Sequence, residues 1–421
     1  MMNPGAGFGN RSAAETPPAG IDLRANLRRF YVYRFLSNLL LWLPIWVLYL
    51  QRERGLSLSQ ITALDAPFWL ISLIAQVPTG AFADRYGRRT ALVVGGLVLA
   101  IAYLVFGLAS SYPLILASYV LWAIGMAFGQ GADLALLYDH LASHGRQEDY
   151  PRLAGRAFAC TAAAAIVSLA VGAPLAAATR LDVPILATAG ISLLTVAVAL
   201  RLHEPPHHPS EDRPGVWEAM RRGAAEAWHE PHLRWMLLFS SALRVSELAP
   251  IIFVQPFLVR HGVSVAQVGA WQIPARVGTI AAALLAYRLV RRVRERRFLL
   301  AAPWLFCACF LLLGLWDNLI AFVAFPLFAV ASAGVDPTIS DYINRHTRAA
   351  QRATVLSLGQ LLGSLVLAVL EPGLGAIAQA AGLTAAFLTT ALFIGAASLL
   401  TLGPWALLPR PQVAAEPLAT A

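Results

Sequence analysis

The chain has 421 residues, 58% of them hydrophobic and only 13% charged, with a formal net charge of +9. A water-soluble domain needs about one-quarter charged residues to wet its surface, so this composition, with a mean hydropathy of +0.63, excludes an ordinary soluble protein. All 32 basic residues are arginine, and they fall in short loops between apolar stretches, which reads as membrane topology rather than a nucleic-acid surface.

Residues 1–27, rich in Gly, Pro and Ala at their start and without the apolar core of a signal peptide, are expected to form a flexible tail. A membrane-spanning helix needs about 20 apolar residues. Hydropathy places such spans at 28–50, 58–83, 89–109, 113–140, 151–179 and 183–203, then at 233–259, 265–290, 298–316, 318–345, 350–380 and 383–408. The expected fold class is therefore an all-α membrane protein of twelve transmembrane helices in two six-helix halves, 28–203 and 233–409. Residues 204–232 form a linker between the halves, and 410–421 a second tail. Within the linker, Trp217, Met220, Ala224 and Trp228 share one helical face, with Arg221 and Arg222 off it, as in an amphipathic helix lying on a membrane. Cys160, Cys307 and Cys309 lie inside apolar spans at spacings that suit neither zinc nor a disulfide framework. His203, His207 and His208 read as linker residues, and His140 and His144 as interfacial ones, so no metal site is expected.

Arginine asymmetry sets the orientation. With the N-terminus inside, 25 arginines fall on the inner side and four (Arg52, Arg54, Arg180 and Arg260) on the outer side. Both termini and the linker are expected in the cytoplasm. Arg34, Arg244 and Arg276 lie within spans.

One short loop carries the sharpest pattern: Gly80-Ala-Phe-Ala-Asp84-Arg85-Tyr-Gly87-Arg88-Arg89, between the second and third spans. Gly80 allows close helix approach, Asp84 suits a helix N-terminus or an arginine partner, Gly87 turns the loop, and Arg88 and Arg89 hold it inside. Asp139, at the end of the fourth span, is expected to hold the loop arginines. This loop resembles the G-x-x-x-D-[RK]-x-G-[RK]-[RK] signature of the major facilitator superfamily. Val77-Pro78-Thr79, Ala135-Leu-Leu-Tyr138-Asp139, Gln255-Pro256-Phe257-Leu258, Asp341-Tyr-Ile-Asn344-Arg345 and Arg352-Ala-Thr-Val-Leu-Ser357 extend the resemblance to a bacterial exporter-like subgroup. The resemblance implies a secondary transporter working by alternating access, with the loop as part of a cytoplasmic gate. Two features depart from the antiporter pattern: Leu121 or Trp122 stands where many antiporters carry an arginine, and Gly172-Ala173-Pro174 lacks the flanking glycines.

Ionisable residues inside a span are costly and face a cavity or a partner. Here polar and aromatic residues form stripes at helical spacing. Arg34, Asn38, Trp42, Trp69, Gln76, Tyr119, Met126, Gln130, Asp133, Arg244, Gln255, Arg276, Asp336 and Gln360 are the expected cavity residues. Asp65, Glu247 and Glu371 are the expected proton-coupling carboxylates, although Arg244 and Glu247, at i and i+3, can also simply pair with each other. The expected function is proton-coupled export of a hydrophobic or amphipathic small molecule by a monomer in the bacterial inner membrane. It would need no metal, cofactor or nucleic acid, only an ion gradient. The runner-up is uptake of a small anionic metabolite, to which Arg244 and Arg276 would contribute positive charge. A lipid scramblase or receptor on the same fold is the alternative of another class.

Overall fold

The computed structural model describes residues 23–205, 225, 227–293, 295–347 and 351–409. The expected linker helix, with Trp217, Met220, Arg221, Arg222 and Ala224, lies mostly outside these residues, as do His207, His208, residues 1–22 and residues 410–421. Among the described residues the secondary structure is helical throughout. The first half contains α1 (Leu23–Ser37), α2 (Trp46–Arg52), α3 (Leu58–Tyr86), α4 (Arg88–Leu108), α5 (Tyr112–Gly129), α6 (Ala132–Ala142), α7 (Tyr150–Ala178) and α8 (Val183–Ala199). The second contains α9 (Pro231–Leu243), α10 (Val254–Arg260), α11 (Val265–Val293), α12 (Glu295–Leu315), α13 (Ala324–His346) and α14 (Arg352–Leu407). Within α14 the chain turns at Gly382 (φ 86°, ψ 169°), which separates two helices.

Eight helical stretches among the described residues are long and apolar enough to cross a membrane, and α8 is a shorter apolar helix. Large apolar side chains stand exposed around them, such as Ile74, Ile320, Val369 and Leu392, each at least 69% accessible. A soluble protein does not present such a girdle to water; a bilayer removes the cost. The chain is a multi-pass membrane protein.

Three expected spans are broken rather than continuous, and each break has a local cause. Between α1 and α2 the backbone leaves the helix at Asn38–Ile45, just ahead of and around Pro44. Irregular backbone at membrane depth must find partners inside the protein. Asn38 Nδ2 donates to Arg34 O at 2.9 Å, Leu40 N donates to Ser168 Oγ (2.8 Å), and Leu41 N to Thr188 Oγ1 (3.1 Å). The fourth expected span breaks at Gln130 and Gly131, where Gly131 takes φ 81°. The seventh unwinds into a 3-10 turn at Arg244–Glu247 and a π turn at Ala249–Phe253, around Pro250, which has no amide proton to donate.

In the first half α4 packs on α5 and α8, α3 on α5, and α1 on α7 and α8. In the second half α9 and α12 pack on α14, and α11 and α12 on α13. The halves meet along two seams, α3 against α14 and α7 against α11. Glycine makes the close approach at each seam. A Cβ on Gly375 would fall 1.9 Å from Thr62 Oγ1, and one on Gly269 would fall 1.9 Å from Leu169 O.

Candidate functional site: a cavity between the halves

Both seams are tightest at one end of the bundle, where Leu181 N donates to Glu53 Oε1 and Arg260 pairs with Asp317. There Leu58 N donates to Gln379 Oε1 (3.2 Å), and Trp69 Nε1 donates to Glu371 Oε2 (3.1 Å), both across α3 and α14. Gln255, from α10, reaches the broken backbone of the other half. Its Oε1 accepts from Val47 N (3.0 Å), and its Nε2 donates to Leu43 O (3.0 Å).

Below this closed end lies a cavity of about 180 Å³, lined by Trp69, Ser72, Gln76 and Gln130 from the first half and Arg244, Glu247, Gln360 and Ser364 from the second. A second cavity, of about 290 Å³, shares Gln76 and Gln130 with it and extends to Gly80, Asp84 and Arg88. A polar path therefore runs from the seam to the signature loop.

Of the expected cavity residues, Trp69, Gln76, Gln130, Arg244 and Gln360 line the central cavity; others are engaged elsewhere. Arg34 forms an ion pair with Asp133 and donates to Thr161 Oγ1 (3.0 Å), so both charges serve to join α1, α6 and α7. Asp133 sits in the first turn of α6, where the helix dipole favours an anion. Asn38 caps α1, and Gln255 is 1% exposed and satisfies the broken backbone between α1 and α2 instead of facing the cavity. Trp42 and Tyr119 are buried in an aromatic cluster inside the first half, with Trp122 at 5.0 and 5.6 Å from their rings; Met126 packs against the same core. Arg276 is exposed on α11 and makes no ion pair among the described residues. Asp336 is exposed on α13, and its charge acts on Glu247.

The expected coupling carboxylates fall in two places. Glu247 lines the cavity and accepts from Arg244 at 3.0 Å. Asp65 and Glu371 stand on either side of the α3–α14 seam, and the charge of Asp65 acts on Glu371 across it.

In the signature loop, Gly87 takes φ 93°, a conformation that side chains resist, and Glu204 occupies the space beside it, 2.6 Å from where a Cβ would be. The Glu204 carboxylate accepts from Arg88 N (2.5 Å) and Arg89 N (3.0 Å), capping the N-terminus of α4. Arg88 pairs with Asp139, and the Arg85 guanidinium lies 5.3 Å from the Tyr86 ring centroid. Gly80 faces open space and Asp84 lines the second cavity. Sequence reasoning left Glu204 in the linker. Its signal was a lone carboxylate directly after a span, among arginines and just before Pro205. His140, His144 and His203 gather nearby, but no group of three or more His, Cys, Asp or Glu among the described residues could hold a metal ion.

Two helical halves close on each other at one end and are separated by a polar cavity below it. Residues 31–370 match the family model of the Major Facilitator Superfamily, and the chain belongs to that family. The chain is 23% identical over 269 residues to the probable vesicular acetylcholine transporter-B of Danio rerio, an alignment covering 62% of this chain and 52% of that one. It is 28% identical over 105 residues, 24% of this chain and 26% of the other, to an uncharacterized MFS-type transporter, YxaM, of Bacillus subtilis. The chain thus spans about half or less of the curated relatives it matches. Among solved structures, a bacterial homologue of the human lysosomal transporter Spinster, inward-facing and unoccupied, superposes with a TM-score of 0.72 at 18% identity, covering 92% of this chain and 98% of that one. The nucleoside transporter NupG superposes at 0.73 and 13% identity, covering 90% and 98%. At these identities the likeness establishes the fold.

Proposed function

We propose that this transporter exports a hydrophobic or amphipathic small molecule across the bacterial inner membrane in exchange for protons. It would do so with twelve spans, both termini and the linker in the cytoplasm. The observation that carries the reading is the cavity shared by both halves, sealed by cross-half hydrogen bonds at one end and continuous with the signature loop at the other. With the arginine-rich end inside, this arrangement corresponds to an inward-open state.

The charge in the cavity favours a neutral or cationic cargo. Arg244 is engaged by Glu247, while Asp336 and Glu371 add negative charge with no further arginine lining the cavity. The relatives' names point to different cargoes, acetylcholine and nucleosides among them, so the cavity weighs more than the names. Uptake of a small anion remains the second reading because Arg276, an arginine within an expected span, makes no ion pair among the described residues, and a cation at membrane depth suits an anionic ligand.

The test is accumulation of fluorescent amphipathic cations and of small organic anions in intact cells, with and without an uncoupler. Export predicts that expression lowers cation accumulation and that the uncoupler abolishes the difference. Uncoupler-sensitive uptake of the anions instead would establish the second reading, and no change with either set would remove both. Cysteines placed in 85–89 and 204–214 should be labelled only after permeabilisation; labelling in intact cells overturns the orientation.

A further inference from the structure

The α3–α14 seam pairs residues in a fixed register. Leu58 N meets the Gln379 side chain, Thr62 meets Gly375, and the Trp69 indole meets Glu371. Asp65 lies between Thr62 and Trp69 on α3, and Glu371 lies one turn before Gly375 on α14. The register therefore brings two carboxylates from opposite halves face to face. Glu371 is 4% exposed, and its one hydrogen bond, from Trp69, satisfies a single oxygen.

The groups turned toward this pair are few. Tyr119 comes from α5, and Glu247, with its partner Arg244, comes from the unwound segment after α9. None of them is a free cation. Tyr119 is 1% exposed, its hydroxyl has no hydrogen-bond partner, and the charges of both Asp65 and Glu371 act on it. A buried hydroxyl without a hydrogen-bond partner, within electrostatic reach of two carboxylates, marks a place built to hold something more than packing.

We propose that Asp65 and Glu371 form one proton site shared across the seam, and that the proton held there keeps this end of the transporter closed. Two ionised carboxylates at close range in an apolar seam repel each other, whereas one shared proton removes the repulsion. The site exists only while α3 and α14 are together, because its two halves come from different bundles. Its proton has an exit on the cavity side: Glu371 is within electrostatic reach of Glu247, which lines the cavity. Loss of the proton to the cavity restores the repulsion and opens the seam to the other side of the membrane. Rebinding of a proton from that side permits closure. The sequence of events is that of an exporter driven by inward proton flow, and it rests on the carrier reading above.

The experiment uses the full chain in lipid nanodiscs, with the three native cysteines replaced and spin labels at Gln60 and Ala381, at the ends of α3 and of the first part of α14. Distances are measured by pulsed electron resonance from pH 5 to pH 9, without substrate. Wild type should hold a short distance at low pH and shift to a longer one as pH rises. Asp65→Asn, Glu371→Gln and the double variant each remove one or both charges, and each should hold the short distance at every pH. A wild-type distance that does not change with pH, or lengthens as pH falls, overturns the proposal. So does an Asp65→Asn or Glu371→Gln protein that opens like wild type. Transport is not read in this experiment, so its failure leaves the export assay to judge the carrier reading separately.

Discussion

The ends of the two halves nearest the signature loop share one frame and carry opposite chemistry. In the first half, α4 begins with Arg88, which pairs with Asp139 near the end of α6, and the Arg89 side chain donates to Leu200 O beyond α8. In the second half, α12 begins with Glu295, which accepts from Arg345 at 2.6 Å near the end of α13, and the Arg296 side chain donates to Ala406 O near the end of α14. His144 Nδ1 contacts His140 O at 2.8 Å in the first, and His346 Nδ1 contacts Tyr342 O at 2.7 Å in the second. The ion pair is reversed in sign. Each helix N-terminus still receives a carboxylate, as its dipole favours: α4 from Glu204, more than a hundred residues away, and α12 from its own first residue.

The reversal separates two tasks that one loop could otherwise perform together. The second half closes its frame with Glu295 and Arg345 as neighbours in space and Tyr342 held by Trp405 Nε1 (2.9 Å) and His232 Nδ1 (3.0 Å). The first half draws in residues from across its sequence. Asn26 and His203 exchange two hydrogen bonds, of 3.3 and 2.9 Å, beside Glu204. The end of α8 is thereby tied to the starts of α1 and α4, and the signature loop is held by the segment that leads into the linker. Motion of the linker would be felt at Gly87 through Glu204 and at Tyr342 through His232.

The largest expected effect breaks the first-half frame at its tightest point. Gly87→Val places a β-branched residue at φ 93° and drives its Cβ into the Glu204 carboxylate. Strain of this kind costs about 1–3 kcal/mol before the steric clash is added, so the variant should lose most of its folded yield in fluorescence-detected size exclusion. Normal yield and transport would show that the loop can re-form without its left-handed turn.

Next in size is Glu204→Gln, which keeps the shape and removes the charge from the Arg88 and Arg89 amides. Loss of a charged cap is worth about 1–2 kcal/mol. The thermal midpoint in detergent should fall by a few degrees, and transport more than tenfold if the cap is needed in only one access state. An unchanged midpoint with unchanged transport would reduce Glu204 to a bystander.

A charge swap sharpens the comparison further. Arg88→Glu alone places two carboxylates together with Asp139, and transport should fall strongly. The double variant Arg88→Glu/Asp139→Arg gives the first half the sign order of the second and should recover folding. Recovery of transport as well would mean that the sign order serves stability alone; folding without transport would tie it to the cycle.

The fold was legible because hydropathy reports on the bilayer directly, and the signature loop stood out through Gly, Asp and Arg at fixed offsets. The cavity was only partly legible. In an apolar medium the strongest demand on a polar side chain is an orphaned backbone group or an opposite charge. Asn38, Ser168, Thr188 and Gln255 answer the first demand at the break between α1 and α2, and Arg34 and Asp133 answer the second. Helical stripes place such residues on an inner face, but they do not tell whether that face meets a cavity or a neighbour. The breaks themselves were hidden because a hydropathy window averages over Pro44, Gly131 and Pro250. The likeness between these ends of the two halves was hidden because it keeps positions and reverses the ion pair.

The smallest expected effect is the counterpart of the cap variant, Glu295→Gln. It too removes a carboxylate from a helix N-terminus and from an arginine, so equal roles would predict equal losses. The surroundings differ. The Glu295 side chain is 26% exposed and its partner Arg345 46% exposed, and Arg345 keeps Asp341 at 3.1 Å when Glu295 is neutral. Exposed pairs with a spare partner contribute about 0–1 kcal/mol, so the midpoint should move by a degree or two and transport should stay within about twofold of wild type at that energy scale. Raising the salt concentration should erase even this difference, because screening acts on exposed charges first. The Glu204→Gln loss, which comes from two direct amide hydrogen bonds beside a left-handed glycine, should survive high salt. If instead Glu295→Gln matches Glu204→Gln in both thermal shift and transport, the two ends work as a symmetric pair and the longer reach of the first-half cap has no functional weight.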